Sequence, residues 1–273
     1  MVCIIGQNNK IIIMENNLNN YQKLTSAQNN QIKLLNKLAL KKYRYELGQF
    51  AVENLTIIYD ALKSGYDFEA LFITQDFINK CKAKFQYLQA HSQCQNCYLI
   101  DEKLNKQYSL LDTPSGITAV YNIKVKKLTD GSAVYLNGVS DPGNLGAIMR
   151  NALAFGFANL VLDETCADIY NFKTINAAKD AIFKLNILYD ADAGWLKKNT
   201  LPVYAASSQA GRNLADFKPA LAFCLVLGNE SQGLSPKIKN RADEIIKIEM
   251  SAQIESLNVA AAAAILLYKL RQI

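Results

Sequence analysis

One histidine, His91, stands in a chain of 273 residues. With a single imidazole, far in sequence from the polar loops of the C-terminal half, no Ser-His-Asp triad can be assembled there. Metal ligands are as scarce. Cys94-Gln-Asn-Cys97 is a lone C-x-x-C with Cys81 and His91 upstream, whereas a zinc site needs four ligands and its strong signal is two close pairs. No metal is expected. The six cysteines are scattered through the chain, the pattern of reduced thiols in a cytoplasmic protein. No apolar run approaches the roughly 20 residues that cross a bilayer. Two short patches, Val2-Cys3-Ile4-Ile5 and Ile11-Ile12-Ile13-Met14, are split by polar residues and are too broken for a signal peptide. Residues 1–20 are expected to be a disordered tail, with Met14 an alternative start. No internal repeat is visible.

Half of the residues are hydrophobic and a fifth are charged, so the chain is globular and long enough for one large domain or two modest ones. The net charge of +6 favours a polyanionic partner.

The most informative stretch is Leu136 to Gly156. An apolar run, Ala133-Val134-Tyr135-Leu136, has the look of a buried strand. A loop of small and polar residues follows, through Asn137, Gly138, Ser140, Asp141, Pro142, Gly143 and Asn144. From Leu145 the apolar residues Ile148, Met149, Leu153 and Phe155 recur at helical spacing, and Gly156 supplies a left-handed stop. In an open α/β sheet such a loop lies at the carboxyl end of a strand, where ligands bind. Asn144 and Arg150 flank the helix start. A dinucleotide-binding turn is the rival, since Gly143-Asn144-Leu145-Gly146 supplies G-x-x-G and Asp163 follows twenty residues after Gly143. The first glycine of the fingerprint is replaced by Asp141, and the rival fails on that residue. A blander alternative makes Asn144 a helix cap and Arg150 a solvated charge.

The N-terminal half alternates short strands and helices. A basic helical stretch carries Lys33, Lys37, Lys41, Lys42 and Arg44, with Lys23 upstream and only Glu46 nearby in opposition; it is either a solvated face or a phosphate-contacting surface. Strands are expected at 49–53, 69–74, 97–100 and 117–123, with one helix running from the second strand through Gln89. This gives a domain over 21–123. A basic, turn-rich linker covers 124–131, and a second α/β domain covers 132–273. In the latter, Ala222 to Leu227 resembles a central parallel strand, Ile245 to Met250 alternates as a strand, and Val259 to Leu270 is an alanine-rich helix. Three loops then share one design, each following a buried strand with small residues beside uncharged hydrogen-bonding side chains. They are 141–144, 228–233 and 251–258, and parallel strands would bring them to one edge. Ser256 suits a helix cap, which leaves a buried-looking Asn258 at the head of an apolar helix.

On these motifs the chain resembles the SpoU-family RNA ribose 2′-O-methyltransferases of the SPOUT superfamily. Residues 137–150 match the first motif, residues 225–235 the second, and Ile248-Glu249-Met250 with Glu255 to Ala260 the third. The likeness extends over residues 31–123, where Lys41-Lys42-Tyr43-Arg44, Phe50-Ala51-Val52-Glu53 and Thr113-Pro114-Ser115-Gly116-Ile117 resemble the family's substrate-binding domain. The resemblance implies an α/β fold with a SPOUT-type parallel sheet and a deep trefoil knot, preceded by a small α/β substrate-binding domain. It implies a homodimer, S-adenosylmethionine as cofactor, and RNA as partner, ribosomal before transfer RNA. Leu227, Gly228, Ile248, Met250 and Leu257 match cofactor contacts. Asn144 and Arg150 match the catalytic pair, supported by Glu230, Ser256 and Asn258. A guanidinium with a pKa above about 12 is a poor base, so Arg150 is expected to act as electrostatic stabiliser and phosphate anchor.

Two segments depart from the family pattern. Asn176, Ala178 and Asp180 stand where Arg, Ser and Gly are common, and Asn54 stands where Gly is usual. The first departure is the ground for an alternative, a catalytically silent RNA-binding protein of the same fold. Methyl transfer would separate the two.

Overall fold

The computed structural model describes Leu18, residues 20–229 and residues 233–271. The disordered tail expected over 1–20 lies almost wholly outside the described residues, and so does Glu230. The chain divides into two compact units, Met1–Ile123 and Lys124–Ile273.

Unit 1 runs β1 (Gln22–Lys23), α1 (Asn30–Leu38), α2 (Lys41–Leu47), β2 (Gln49–Val52), α3 (Leu55–Lys63), β3 (Ala70–Thr74), α4 (Gln75–Lys80), α5 (Lys82–His91), β4 (Cys97–Ile100), α6 (Glu102–Tyr108) and β5 (Ile117–Asn122). The strands lie in the order β1-β4-β3-β5-β2, and β5 is antiparallel to both of its neighbours. Strand β3, ALFIT, is buried at every position and takes the centre. Ile32, Leu35 and Leu38, spaced to share one face of α1, pack with Phe72 and Leu104 into the core.

Three local features differ from expectation in this unit. The helix expected through Gln89 breaks at Cys81 (φ −118°, ψ 33°) into α4 and α5. Asn54, where the family favours glycine, has an extended backbone (φ −136°) and caps α3 by accepting from the N–H groups of Thr56 and Ile57, so no glycine is needed. The basic stretch is two helices, and Arg44 is buried between them. Its Nη1 donates to the carbonyls of Leu38 and Ala39, each at 2.8 Å. A helix end leaves carbonyls without intrahelical partners, and Arg44 satisfies two of them.

Unit 2 runs β6 (Ala133–Leu136), α7 (Pro142–Ala154), β7 (Asn159–Asp163), α8 (Phe172–Ala178), α9 (Ala181–Lys184), β8 (Asn186–Asp190), α10 (Gly194–Lys198), β9 (Val203–Ala206), β10 (Arg212–Asn213), β11 (Cys224–Leu227), α11 (Pro236–Arg241), β12 (Glu244–Lys247) and α12 (Val259–Lys269). Its seven strands form a wholly parallel sheet in the order β10-β12-β9-β11-β6-β7-β8. The chain winds outward from β6 to β8, crosses to β9, and later inserts β11 between β6 and β9. That reversal is a topological switch point, where a crevice opens at the carboxyl ends of the strands. The register pairs Leu136 with Leu227 and Ala206 with Ile246. The loops after β6, β9, β11 and β12 therefore leave the sheet at one edge. Strand β12 ends at Lys247 and not at Met250 as the alternation suggested.

Candidate active site

The first loop is held by acids and amides of its own. Asp141 caps α7, its Oδ1 accepting from the N–H of Asn144 at 2.8 Å, and Pro142 occupies the first helical turn, where its missing N–H is harmless. The cap is thus Asp141, not Asn144. Asp163 is buried and accepts from Asn137 Nδ2 at 2.5 Å, from the Gly138 N–H at 3.2 Å, and from the Thr165 N–H and hydroxyl. With its oxygens engaged in bracing two loops, Asp163 has no role left as a ribose acceptor, which removes the remaining support for a dinucleotide turn.

Helix α7 lies hard against α8 at Gly146. A Cβ there would stand 2.4 Å from the Thr174 carbonyl and 2.6 Å from Ala177 Cβ, so only glycine allows this crossing. The departure at 176–180 begins on α8 and runs through the turn into α9. Asn176 Nδ2 donates to the Phe172 carbonyl at 2.9 Å, and Asp180 pairs with Lys184. The chain turns at Lys179 with φ 57° and ψ −138°, a conformation that side chains rarely adopt.

The second loop turns back on itself, the Gly233 N–H donating to the Asn229 carbonyl at 2.9 Å. Asn229 Nδ2 donates to the Gly138 carbonyl at 2.7 Å, and the Ser235 N–H reaches Asn137 Oδ1 at 3.3 Å. The first and second loops are thereby tied together. Gly228 permits the fold-back, since a Cβ on it would lie 2.7 Å from the Gly233 carbonyl oxygen.

The third loop ends at Asn258. This residue is exposed, not buried as the sequence suggested, and it rather than Ser256 is the cap of α12. Its Oδ1 accepts from the N–H groups of Ala260 (3.0 Å) and Ala261 (3.3 Å), and its Nδ2 donates to Asn144 Oδ1 at 3.0 Å. This chain of bonds fixes both amides. The oxygen of Asn258 must face the helix N-terminus, so its nitrogen meets Asn144, and the atom of Asn144 it meets must be the acceptor. Asn144 consequently turns its Nδ2 donor away from Asn258.

The second and third loops border one cavity of about 620 Å³, together with the loop after β9; the first loop is joined to them by the hydrogen bonds of Asn137, Gly138 and Asn144. Leu227, Gly228, Ile248, Met250, Ser256 and Leu257 line it, joined by Ser207, Ser208, Gln209 and Lys239. The last four were not singled out in the sequence. The run Ser207-Ser208-Gln209-Ala210-Gly211 after β9 repeats the small, polar design of the other loops and could have been noticed on that ground. Met250 and Leu257, among the described residues, enter none of the backbone–backbone hydrogen bonds that knit the other loops.

Arg150 stands apart from the asparagine pair. Six residues of helix place it about 9 Å along and 240° around α7 from Asn144. Its side chain is exposed. Burial pushes the thiols of Cys166 and Cys224 up to about 12, so neither is a nucleophile at neutral pH. Among the described residues, no group of three or more His, Cys, Asp or Glu side chains comes together as a metal site. His91 is in unit 1, its ring stacked on Tyr87 at 3.9 Å.

Comparison with known proteins gives this arrangement relatives. A model of the SpoU rRNA methylase family matches residues 131–268, and a model of an MRM3-like substrate binding domain matches residues 29–119. The 23S rRNA (guanosine(2553)-2′-O)-methyltransferase RlmP of Bacillus subtilis is 31% identical over 255 residues, spanning 92% of this chain and 99% of its own. Among solved structures, an RNA methyltransferase of the TrmH family from Porphyromonas gingivalis aligns with a TM-score of 0.77 at 29% identity, over 89% of this chain and 97% of that one. An AdoMet-bound rRNA methyltransferase from Sinorhizobium meliloti aligns with a TM-score of 0.79 over 92% of this chain and 97% of its own, a likeness of fold at 23% identity.

Proposed function

The chain belongs to the SpoU rRNA methylase family, and on that premise we propose how it works: an S-adenosylmethionine-dependent RNA ribose 2′-O-methyltransferase, it acts on ribosomal RNA, as a homodimer in the cytoplasm. The observation that carries this reading is the meeting of the loops after β9, β11 and β12 around one cavity, with the first loop tied to the last of them by the Asn144–Asn258 hydrogen bond. Unit 1, on this reading, is the RNA substrate-binding domain and residues 132–273 the methyltransferase domain, whose loops 228–233 and 251–258 belong to the family's trefoil knot.

The residues present fit S-adenosylmethionine. A cavity of about 620 Å³ is in the range that encloses small ligands. Leu227, Ile248, Met250 and Leu257 provide apolar walls for an adenine, and the main chain of Met250 and Leu257 offers hydrogen-bonding groups not spent on other backbone among the described residues. When bound, the cofactor supplies an electrophilic sulfonium methyl. The protein's part is to bring a ribose 2′-oxygen in line with it, receive the hydroxyl proton and stabilise the charge that develops on oxygen. Asn144, oriented by Asn258 at the end of the third loop, is the amide assigned to the developing charge on the 2′-oxygen. Arg150 holds a phosphate of the substrate and adds positive charge, while Ser256, on the cavity wall, and Glu230, by its match to the family motif alone, are the supporting polar residues. Arg150 faces outward from its own α7, where an RNA strand or a second copy of the chain meets it. The homodimer is supported by exposed apolar surface on α12, Ile265 at 42% and Tyr268 at 58% exposure.

The test is transfer of labelled methyl from S-adenosylmethionine to ribosomal RNA, with the product site mapped as a ribose 2′-O-methyl. Arg150→Ala is expected to abolish turnover and to leave cofactor affinity nearly intact. Equal loss of both would make the residue structural, and wild-type protein that binds the cofactor but methylates no RNA would refute the enzyme reading.

A further inference from the structure

The sequence leaves open whether the basic stretch at 33–44 is a solvated face or a contact surface, and the structure separates its members. Arg44 is turned inward and used up on α1 carbonyls. The lysines are turned outward and gather on tyrosines. Lys37 and Lys42 each place Nζ 5.7 Å from the centroid of the Tyr43 ring, and Lys41 places its Nζ 6.0 Å from that of Tyr45. Tyr45 is 42% exposed, and Leu40 (58%) and Leu47 (42%), at the two ends of α2, are exposed as well. Glu46 is the only acid on α2.

We propose that the two lysine–tyrosine groups of this surface, Lys37 and Lys42 on Tyr43 and Lys41 on Tyr45, bind an unpaired segment of the substrate RNA. The proposal rests on the RNA reading above and adds where, and in what form, the RNA is held. Three ammonium groups match the phosphates of successive nucleotides. Flat rings within about 6 Å of those charges suit bases that have left a helical stack. A duplex offers phosphates but no open base face, so a platform of this composition prefers single strands. Arg44 builds the face without touching the RNA: it pins the turn between α1 and α2 and so sets Lys37 across from Lys42.

The experiment uses the full-length protein and two probes, a fluorescein-labelled oligouridylate, which stays unpaired, and an A–U duplex of equal length. Binding is read by fluorescence anisotropy across a salt series. Lys41→Gln/Lys42→Gln should make the slope of log K against log salt on the single strand shallower by about 1.4, at roughly 0.7 per phosphate contact. Tyr45→Ala should weaken single-strand binding about 5- to 150-fold and leave duplex binding unchanged. Tyr45→Phe, which keeps the ring, should bind as wild type. Cofactor affinity, measured by calorimetry, should be the same in all variants, and a circular-dichroism spectrum and thermal transition like those of wild type show that unit 1 is folded in each. An unchanged salt slope in the lysine variant overturns the proposal, and so does an equal loss on duplex and single strand in Tyr45→Ala. The outcome is separable from that of the activity assay. Methyl transfer with RNA binding indifferent to every variant refutes this face alone, whereas a wild-type chain that transfers no methyl refutes the activity and leaves the binding data to judge the face.

Discussion

Asn258 performs two tasks with two different atoms, and one substitution can divide them. Its Oδ1 caps α12 through Ala260 and Ala261, and its Nδ2 holds Asn144 Oδ1 at 3.0 Å. Asn258→Ala deletes both. Loss of an asparagine cap costs about 1 kcal/mol, which for a domain of this size lowers Tm by about 2–4 °C. Asn258→Asp keeps the cap, because aspartate caps about as well as asparagine, and its charge at a helix N-terminus adds about 0.3–1 kcal/mol. The new carboxylate, however, has no proton to give Asn144 at neutral pH. Two acceptors would face one another, so the Asn144 amide must rotate half a turn and present its nitrogen to the carboxylate. Its outward-facing donor then becomes an acceptor.

The expected result is a protein as stable as wild type or slightly more so, with intact cofactor binding and a kcat lower by about 100- to 1000-fold, the usual loss when one donor to a developing oxyanion is removed. Thermal unfolding and single-turnover methyl transfer measure the two halves. Asn144→Ala should lose a comparable amount of activity, and combining it with Asn258→Asp should cost little more, since both changes remove one donor. If Asn258→Asp turns over within a few-fold of wild type, the tie does not orient Asn144 and the catalytic assignment of that pair is wrong.

Gly146→Ala gains about 1 kcal/mol of helix propensity, but its Cβ would lie 2.4 Å from the Thr174 carbonyl, where ordinary contact begins near 3.4 Å; the separation this forces between α7 and α8 should destabilise the unit by about 1–2 kcal/mol net, and an unchanged Tm would show that the crossing is looser than described. Lys179→Gly should raise stability, because φ 57° with ψ −138° strains any side chain by about 1–3 kcal/mol and glycine gives back part of that gain as chain entropy; a lower Tm would mean that the lysine side chain holds the turn. Glu53 lies in unit 1 with its Oε2 buried and unpartnered among the described residues, and burial raises its pKa despite hydrogen bonds from Ser109 and Leu110. A raised carboxyl pKa favours the protonated fold, so its stabilising contribution is full below the unfolded value near 4.5 and is lost as pH climbs through the raised one. Glu53→Gln should flatten that part of the stability–pH curve above about pH 4.5, and an unaltered curve would refute the assignment.

What could be read from the sequence was what neighbouring residues decide among themselves. Strand β6, the Pro142 start of α7 and the stop at Gly156 follow from local apolar spacing and backbone chemistry, and the parallel register then carries the loops after β6 and β11 to one edge without further information. What escaped was decided by partners distant in the chain. The alternation Ile245 to Met250 continues past the end of β12, yet β9 offers a last partner at Ala206 for Ile246 and β10 a last partner at Asn213 for Lys247. Beyond Lys247 there is no strand to pair with, so Ile248 and Met250 leave the sheet and become cavity wall. The same cause hid Ser207 and Lys239, whose place at the cavity depends on a crossover that puts β9 beside β11. Arg44 shows the converse. A charge run is ordinarily solvated, but α1 ends at Leu38 with carbonyls that need donors, and the guanidinium of Arg44 folds back to supply two. The inward turn of Arg44 answers to the helix end and not to the charge pattern, and the lysines it leaves outside define the surface that remains for RNA.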